Sequence, residues 1–267
     1  MRLLRNATAA GLLLLAPAIG EAQTVQGRLQ WNNAGSSFSW YWRNSSGTNI
    51  NVLGGAAYSA KIQYASTPPA TSYWPSGAVA PNAFGPAVDI FCVDFLHTAK
   101  TSAYDAYFTK LGGPLTNTRS GSQAQYMKAA WLASQMKNYT TTTTADKLQR
   151  ANIHAAIWWI MAGQPTSVWN GTGSASLATS YTNTGMNAWI AGANANYGSI
   201  NADEWTIVTD KCVTTSGNNG AGFNATDTCS QEFLVQNVVP EPATMILLAT
   251  GLLATLVMGG WLRRTEA

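Results

Sequence analysis

The run Val88-Asp89-Ile90-Phe91-Cys92-Val93-Asp94 is apolar at its centre and carries carboxylates near both of its ends. A short apolar run bounded by loop residues is typical of a buried β-strand. Residues 67–86, which precede it, are rich in proline and glycine, and both residues interrupt regular structure. The sequence therefore predicts a surface loop that leads into a buried strand containing Cys92.

Further strands are expected on both sides of this run. Phe38, Trp40 and Trp42 alternate with polar or smaller neighbours, which is the period-two pattern of a strand with one aromatic face. Turns rich in Asn, Ser and Gly separate the early segments. The predicted strands are Gly27–Trp31, Phe38–Arg43, Ile50–Leu53 and Tyr58–Tyr64, followed late in the chain by Trp205–Thr209 and Glu232–Val238.

Two helices are predicted between residues 122 and 163. Ser122 and Gln125 have the spacing of a capping box, and Thr143 precedes Asp146 by three positions. Apolar residues cover a wide arc of the second helix, so we expect it to pack on more than one side. A shorter helix is expected at 186–193. The fold class is α+β: a β-rich sandwich or barrel with an inserted helical subdomain around 122–163.

The charge balance argues against nucleic acid as a partner. The chain carries 15 Lys and Arg against 12 Asp and Glu, and four of its arginines lie at the two termini. The remaining region is therefore close to neutral and lacks the basic excess that neutralises a phosphate backbone. Neither a metal-ligand pattern nor a cofactor motif is present, so no metal and no cofactor is expected.

The C-terminal segment, residues 238–267, has the features of a membrane-borne tail. Residues 243–262 are uncharged and mostly apolar, which is long enough for a helix that spans a hydrocarbon core of about 30 Å. Arg263 and Arg264 follow directly and favour the cytoplasmic side. Pro240 and Pro242 flank Glu241 and prevent a helix from continuing through this tripeptide.

This arrangement of Pro-Glu-Pro, spanning segment and basic end resembles the PEP-CTERM sorting signal of Gram-negative bacteria. The resemblance implies that exosortase, a membrane enzyme, recognises the tail and removes it near Pro240–Pro242. It also implies export across the inner membrane, transient anchoring there, and delivery to the cell surface or the exterior. An ordinary C-terminal membrane anchor is the alternative interpretation.

The N-terminus predicts a secretory signal peptide over residues 1–22. Arg2 and Arg5 form a basic start, residues 9–19 are apolar, and small residues precede a cleavage site after Ala22. The mature extracellular domain then covers residues 23–237. In the oxidising compartment that this implies, Cys212 and Cys229 are expected to form a disulfide worth about 3 kcal/mol. Cys92 is left as the odd cysteine.

The Cys92 strand and the helical run Ala155-Ala156-Ile157-Trp158 together resemble the thioester domains of bacterial surface adhesins. In that family a strand cysteine is bonded to a glutamine just before an Ala-Ile-Trp run, and the thioester acylates host amines. His154 stands at the glutamine position here, and imidazole has no carboxamide that could form the bond. Gln149 lies more than one helical turn earlier and is not a natural substitute.

Two other chemistries involve the same region. Cys92 and His154 could form a thiolate–imidazolium pair, with His97 or Asp94 nearby, whereas the simpler interpretation is a buried thiol beside a hydrogen-bonded histidine. Asp94 with Asp203 or Glu204 could form a glycosidase pair, although strand-end and turn positions explain them equally well.

The tryptophans could stack on sugar rings or pack in the core; they are Trp158, Trp159, Trp169, Trp189 and Trp205.

The sequence thus predicts an exported, exosortase-sorted surface or extracellular-matrix protein that is not an enzyme. The expected role is structural or adhesive within exopolysaccharide or biofilm. A covalent adhesin acting through Cys92 and a cysteine- or carboxylate-dependent hydrolase are the alternatives. Weak catalytic candidates are limited to Cys92 and His154.

Overall fold

The computed structural model describes residues 25–34, 38–43, 49–54, 58–65, 83–94, 97, 99–161, 173–175, 183–212 and 229–237. The predicted signal peptide at 1–22, its cleavage site after Ala22 and the tail at 238–267 lie outside these ranges. Within the described ranges, no helix has both the length and the apolar character needed to cross a membrane. The predicted spanning segment, residues 243–262, is not among the residues searched.

Six strands come first in the chain, two helices follow, and a third helix and three more strands complete an α+β order. In chain order the strands are β1 (Val25–Ala34), β2 (Phe38–Arg43), β3 (Asn49–Gly54), β4 (Tyr58–Tyr64), β5 (Ala87–Cys92), β6 (Tyr104–Lys110), β7 (Gly173–Ala175), β8 (Trp205–Asp210) and β9 (Phe233–Gln236). The helices are α1 (Gln123–Met136), α2 (Thr144–Met161) and α3 (Asn183–Asn196). The α+β prediction is confirmed.

Six of these strands close into an antiparallel barrel in the order β1-β4-β5-β9-β8-β6. The register places Val25 opposite Phe108 and Cys92 opposite Phe233. Gly27 lies at a close approach, because a Cβ atom there would come within 2.3 Å of the Gln63 carbonyl oxygen. The remaining strands form a second sheet, β3-β2-β7, through antiparallel pairs. Of the two predicted architectures, the described residues form the barrel.

Side chains that alternate along the strands between inward and outward positions fill the interior of the barrel. In β4, buried and half-buried residues alternate along the whole strand, and Leu29, Ile62 and Phe108 are fully buried. Every residue of β8 is buried, and so are the first three of β9. Because α1 and α2 lie against β9 and β5, through contacts at Glu232 and Cys92, part of this wall is covered on both faces.

The helices begin where the sequence predicts but use the caps differently. The Ser122 hydroxyl accepts a bond from the Gln125 backbone N–H at 3.4 Å. The Gln125 side chain donates instead to the Ile160 carbonyl of α2 at 2.8 Å, so the reciprocal half of the capping box is absent. Thr143 accepts from the Asp146 backbone N–H at 3.1 Å. These bonds set where α1 and α2 begin, and the Gln125–Ile160 bond joins the two helices.

The helix α2 is enclosed on all sides along half its length. Nine consecutive residues, 150–158, are buried. Helix α1 packs against α2, and α3 packs against both. The expectation that this helix packs on more than one side is confirmed, since its neighbours include the barrel as well as both other helices.

Several elements differ from the sequence predictions. Strands β6 and β7 were not predicted, and α3 extends beyond the expected 186–193. Strand β5 ends at Cys92, because Asp94 turns away to meet His97 and Arg119. Cys212 and Cys229 are joined by a disulfide bond, with their Cα atoms 5.7 Å apart, as expected.

Candidate functional site

Cys92 lies at the end of β5, with 2% of its surface exposed. Its thiol donates a hydrogen bond to the Asp94 carbonyl at 3.3 Å. Burial raises the pKa of the Cys92 thiol far above its ordinary value, and the negative charge of Asp94 adds to this effect. The sulfur is therefore a neutral thiol, held in place by the backbone two residues further on.

His154 meets Cys92 from the helical side. Its Nε2 atom lies 3.1 Å from the Cys92 carbonyl oxygen, and because a carbonyl only accepts, Nε2 carries the ring proton. Burial lowers the pKa of His154 to about 3, although the bond to the carbonyl partly opposes this. The ring packs against Trp158 and Tyr58, with centroids 4.1 and 6.4 Å away. His154 is thus neutral and joins α2 to β5.

Cys92 and His154 are neighbours, but both side chains are neutral, as in an ordinary hydrogen-bonded contact. A nucleophilic cysteine is a thiolate, and low-pKa cysteines lie beside cations or helix N-termini. Here burial favours the neutral form of both side chains. The arrangement is suited to fastening the helices to the barrel, and its electrostatics oppose formation of a thiolate–imidazolium pair.

A second group of buried polar side chains lies directly beyond Cys92. We call Asp94, His97, Arg119, Ser230 and Glu232 the Arg119 cluster. His97 Nδ1 lies 2.6 Å from an oxygen of the Asp94 carboxylate. Arg119 approaches the same carboxylate oxygen through Nε at 2.9 Å and lies 3.2 Å from His97 Nε2. Because a guanidinium only donates, His97 Nε2 is the acceptor in its contact with Arg119. His97 therefore lies between a carboxylate and a guanidinium.

Arg119 also reaches the segment that precedes β9. Its guanidinium donates to the Ser230 carbonyl at 2.8 Å, and its backbone N–H donates to Glu232 at 3.0 Å. The Arg119 side chain is only 8% exposed. One residue between β6 and α1 therefore joins the turn after β5 to the segment before β9.

Glu232 completes the connection to the helices. Its carboxyl group accepts hydrogen bonds from the hydroxyl groups of Thr209 and Tyr126, as well as from the Arg119 backbone. Burial raises the pKa of Glu232 above its ordinary value, while these bonds oppose the rise. The Glu232 side chain therefore links β8, β9, α1 and the loop that contains Arg119.

The structure brings some of the predicted residues together and separates others. Cys92, His154, Asp94 and His97 lie in one region. Asp203 and Glu204 form a short 3-10 turn before β8 that is capped by Asn201. The negative charge of Asp94 adds to the raised pKa of the Glu232 carboxyl group. A glycosidase pair of Asp94 with Asp203 or Glu204 stays a prediction.

Two of the key residues were missed by sequence reasoning. Arg119 lies in an irregular loop, and Glu232 was seen only as the start of a strand. A charged residue next to an apolar strand was the available signal for Glu232, whereas nothing local distinguishes Arg119 from a solvated arginine. Among the described residues, no group of three or more His, Cys, Asp or Glu side chains is arranged to hold a metal ion.

The tryptophans divide between core and partly exposed positions. Trp158 and Trp205 are buried, which favours core packing over sugar stacking for these two. Trp189 is half-buried and packs against Trp131 and Tyr139, with centroids 6.1 Å away in both cases. Its indole N–H donates to the Gln149 side chain at 3.1 Å, so the Gln149 carboxamide is engaged with α3. Trp169 lies outside the described residues.

Comparison with known proteins identifies the tail and nothing else. Residues 238–264 match the PEP-CTERM protein-sorting motif, and this range contains Pro240, Glu241, Pro242, Arg263 and Arg264. No curated protein and no solved structure matches the chain. The motif implies export, a membrane-anchoring C-terminal region, recognition by exosortase, and a final location at the surface or outside the cell.

Proposed function

We propose that this protein, once sorted by exosortase, has a structural or adhesive role in the exopolysaccharide layer or biofilm outside the cell. The match of residues 238–264 to the sorting motif is the observation that carries the proposal. A domain that works outside the cell also benefits from a disulfide, and Cys212–Cys229 supplies one.

The interior of the domain supports a structural role for Cys92. The thiol is buried, neutral and bonded to a backbone carbonyl, and its neighbour His154 uses its ring proton on the Cys92 carbonyl. Hydrolysis would need a thiolate in contact with substrate. We propose that the pair serves instead as a fixed joint between barrel and helices.

The resemblance to thioester domains fits the same proposal if the domain keeps that layout but lacks the thioester bond. His154 occupies the glutamine position and lies against the Cys92 backbone. Because imidazole cannot release ammonia to form an acyl bond, adhesion through this region would be non-covalent. The layout of the adhesin domain would then be retained without its reactive bond.

The sorting proposal predicts that the tail controls delivery. Ending the chain after Asn237 removes the motif, so we expect the truncated protein to be exported but to lose its surface or extracellular destination. Cell fractionation with an antibody to the barrel domain measures this. Glu266→Gln, which lies beyond the matched residues, is the control and should behave like the wild type. Unchanged delivery of the truncated protein would contradict the proposal.

The structural role of Cys92 predicts an unreactive free thiol. In the purified mature protein, alkylating reagent should leave Cys92 unmodified until the chain is unfolded, after which one thiol reacts, because burial prevents access. Intact mass should show no loss of ammonia, and methylamine should not be incorporated. Incorporation of methylamine at an acyl group bonded to Cys92, with release of the Cys92 thiol, would establish the covalent adhesin instead.

The neutral His154 predicts a pH dependence of stability. Since its folded-state pKa lies near 3 and below the ordinary value of 6.5, its contribution is complete above pH 6.5 and is lost as pH falls towards 3. We expect a slope of about 1.4 kcal/mol per pH unit within this window.

His154→Phe keeps a buried ring but removes the titration. Urea unfolding of both proteins from pH 7 to pH 4 gives the comparison, and the wild type should lose stability more steeply. The raised pKa of Glu232 contributes with the opposite sign but is common to both proteins. Parallel curves would show that His154 takes up its proton equally in the folded and the unfolded state, which would contradict a lowered pKa.

A further inference from the structure

Asn237 directly follows β9 and is anchored at one end of the barrel, where it is only 3% exposed. Its backbone N–H donates to the Glu204 carbonyl at 2.7 Å, and its side-chain N–H donates to the Asp203 carbonyl at 2.9 Å. Its side-chain oxygen accepts a bond from the buried Thr206 hydroxyl at 2.8 Å. Because breaking these bonds would leave buried polar groups without partners, they hold Asn237 in place.

The partner of Asn237 is the turn before β8, residues 201–204, which we call the Asn201 turn. The Asn201 side chain accepts a bond from the Asp203 backbone N–H at 3.2 Å, and its carbonyl accepts one from the Glu204 N–H at 3.1 Å. The buried Lys110 ammonium group donates to the Asp203 carbonyl at 3.3 Å. Asn201 and Asp203 are nevertheless exposed to solvent. The turn is therefore a fixed part of the barrel end that presents polar side chains outwards.

Strand β9 is held so firmly that it cannot lengthen the chain that follows it. It pairs with β5 on one side and with β8 on the other. The pairing with β8 continues to Gln236, which lies opposite Trp205, and the side chains of residues 233–235 are fully buried. Releasing the strand would break both ladders and open the barrel. Asn237 is therefore the point at which the fixed part of the chain ends.

The sorting tripeptide begins very close to this fixed point. Only Val238 and Val239 separate Asn237 from Pro240. Even a fully extended chain places the Cα atoms of Asn237 and Pro240 at most about 11 Å apart. This gap is no wider than one α-helix with its side chains. An enzyme that binds the chain at Pro240–Pro242 therefore has no room to avoid the barrel end.

We infer that exosortase contacts the Asn201 turn while it acts on the tail, and that Asn237 is the positioning residue that fixes this contact. The bilayer itself suits this surface poorly, because the turn carries Asp203 and Glu204 and neither Lys nor Arg, and anionic headgroups attract basic segments. The inference deepens the proposed function, on which it rests for recognition of the tail by exosortase.

Photo-crosslinking of the full-length precursor tests the contact. A photo-crosslinking amino acid in place of Asp203, irradiated directly after a pulse of synthesis, should form an adduct with exosortase. The matched control is the same amino acid in place of Asp105, which is also exposed but lies near the end of β6 remote from Lys110 and the turn. The control should give no exosortase adduct. Adducts with lipid alone, or equal adducts from both positions, would overturn the inference.

A longer connection tests whether the spacing imposes the contact. Six Gly and Ser residues inserted between Asn237 and Val238 add up to about 20 Å of chain and leave the barrel sequence unchanged. The exosortase adduct from position 203 should then be lost. Val238→Thr alters the connection without lengthening it and should keep the adduct. If the adduct survived the insertion, the two-residue spacing would not be its cause and the inference would fail.

Hydrogen exchange in the purified mature protein tests the anchor at Asn237. Its backbone N–H should exchange as slowly as the amides of β9, because it donates to the Glu204 carbonyl. Asn237→Ala removes the two side-chain bonds and should speed this exchange. Gln236→Ala, which removes only an exposed bond to Lys137, is the control and should leave it slow. Fast exchange at Asn237 in the wild type would show that the anchor is open, contrary to the inference.

The outcomes separate this inference from the proposed function. If the tail is processed but position 203 gives no adduct with exosortase, the contact is wrong and the proposed function stands. If the adduct forms as expected but the processed protein does not accumulate outside the cell, the contact stands and the proposed function fails.

Discussion

The ion pair between Arg119 and Asp94 is the interaction on which the arrangement of the domain depends. Both side chains are buried, and an unpaired charge in the interior is very unfavourable. The Arg119 and Asp94 side chains must therefore stay in contact with each other. Through this requirement the loop before α1, the turn after β5 and the segment before β9 are held together, and Glu232 extends the connection to α1 through Tyr126.

This constraint explains why Cys92 is an unreactive thiol. The turn that carries Asp94 supplies the carbonyl that accepts the thiol proton, and the enclosed position excludes the water that a thiolate would need. On the opposite side, His154 fastens α2 to the same strand. Cys92 and His154 thus make two hydrogen bonds as neutral groups instead of forming a thiolate–imidazolium pair. A rigid joint of this kind suits a protein whose destination is set by the sorting motif at residues 238–264.

Much of the fold follows from local sequence patterns. The aromatic alternation of β2, the caps of α1 and α2 and the buried run of β5 were all readable, because each depends on residues close in sequence. The closure of the barrel was not predicted, because it depends on which strands pair, and β1 pairs with β6 and β5 with β9 across long separations in sequence. Strand β6 itself carries a strand signal that was missed, since Tyr104, Ala106 and Phe108 are buried and alternate with more exposed neighbours. The cysteine–histidine contact was predicted from a resemblance, whereas Arg119 was not, because its partners are more than twenty residues away along the chain.

The stability of Arg119→Met measures the central constraint most directly. Removing this cation leaves Asp94 buried without its partner, so the free energy of unfolding should fall by about 3 to 5 kcal/mol. The control is Arg28→Met, whose ion pair with Asp105 is exposed (47% and 64% for the two side chains), and it should change stability by about 1 kcal/mol or less. Urea unfolding at neutral pH compares the two. Equal, small effects would show that the Arg119 cluster does not hold the domain together.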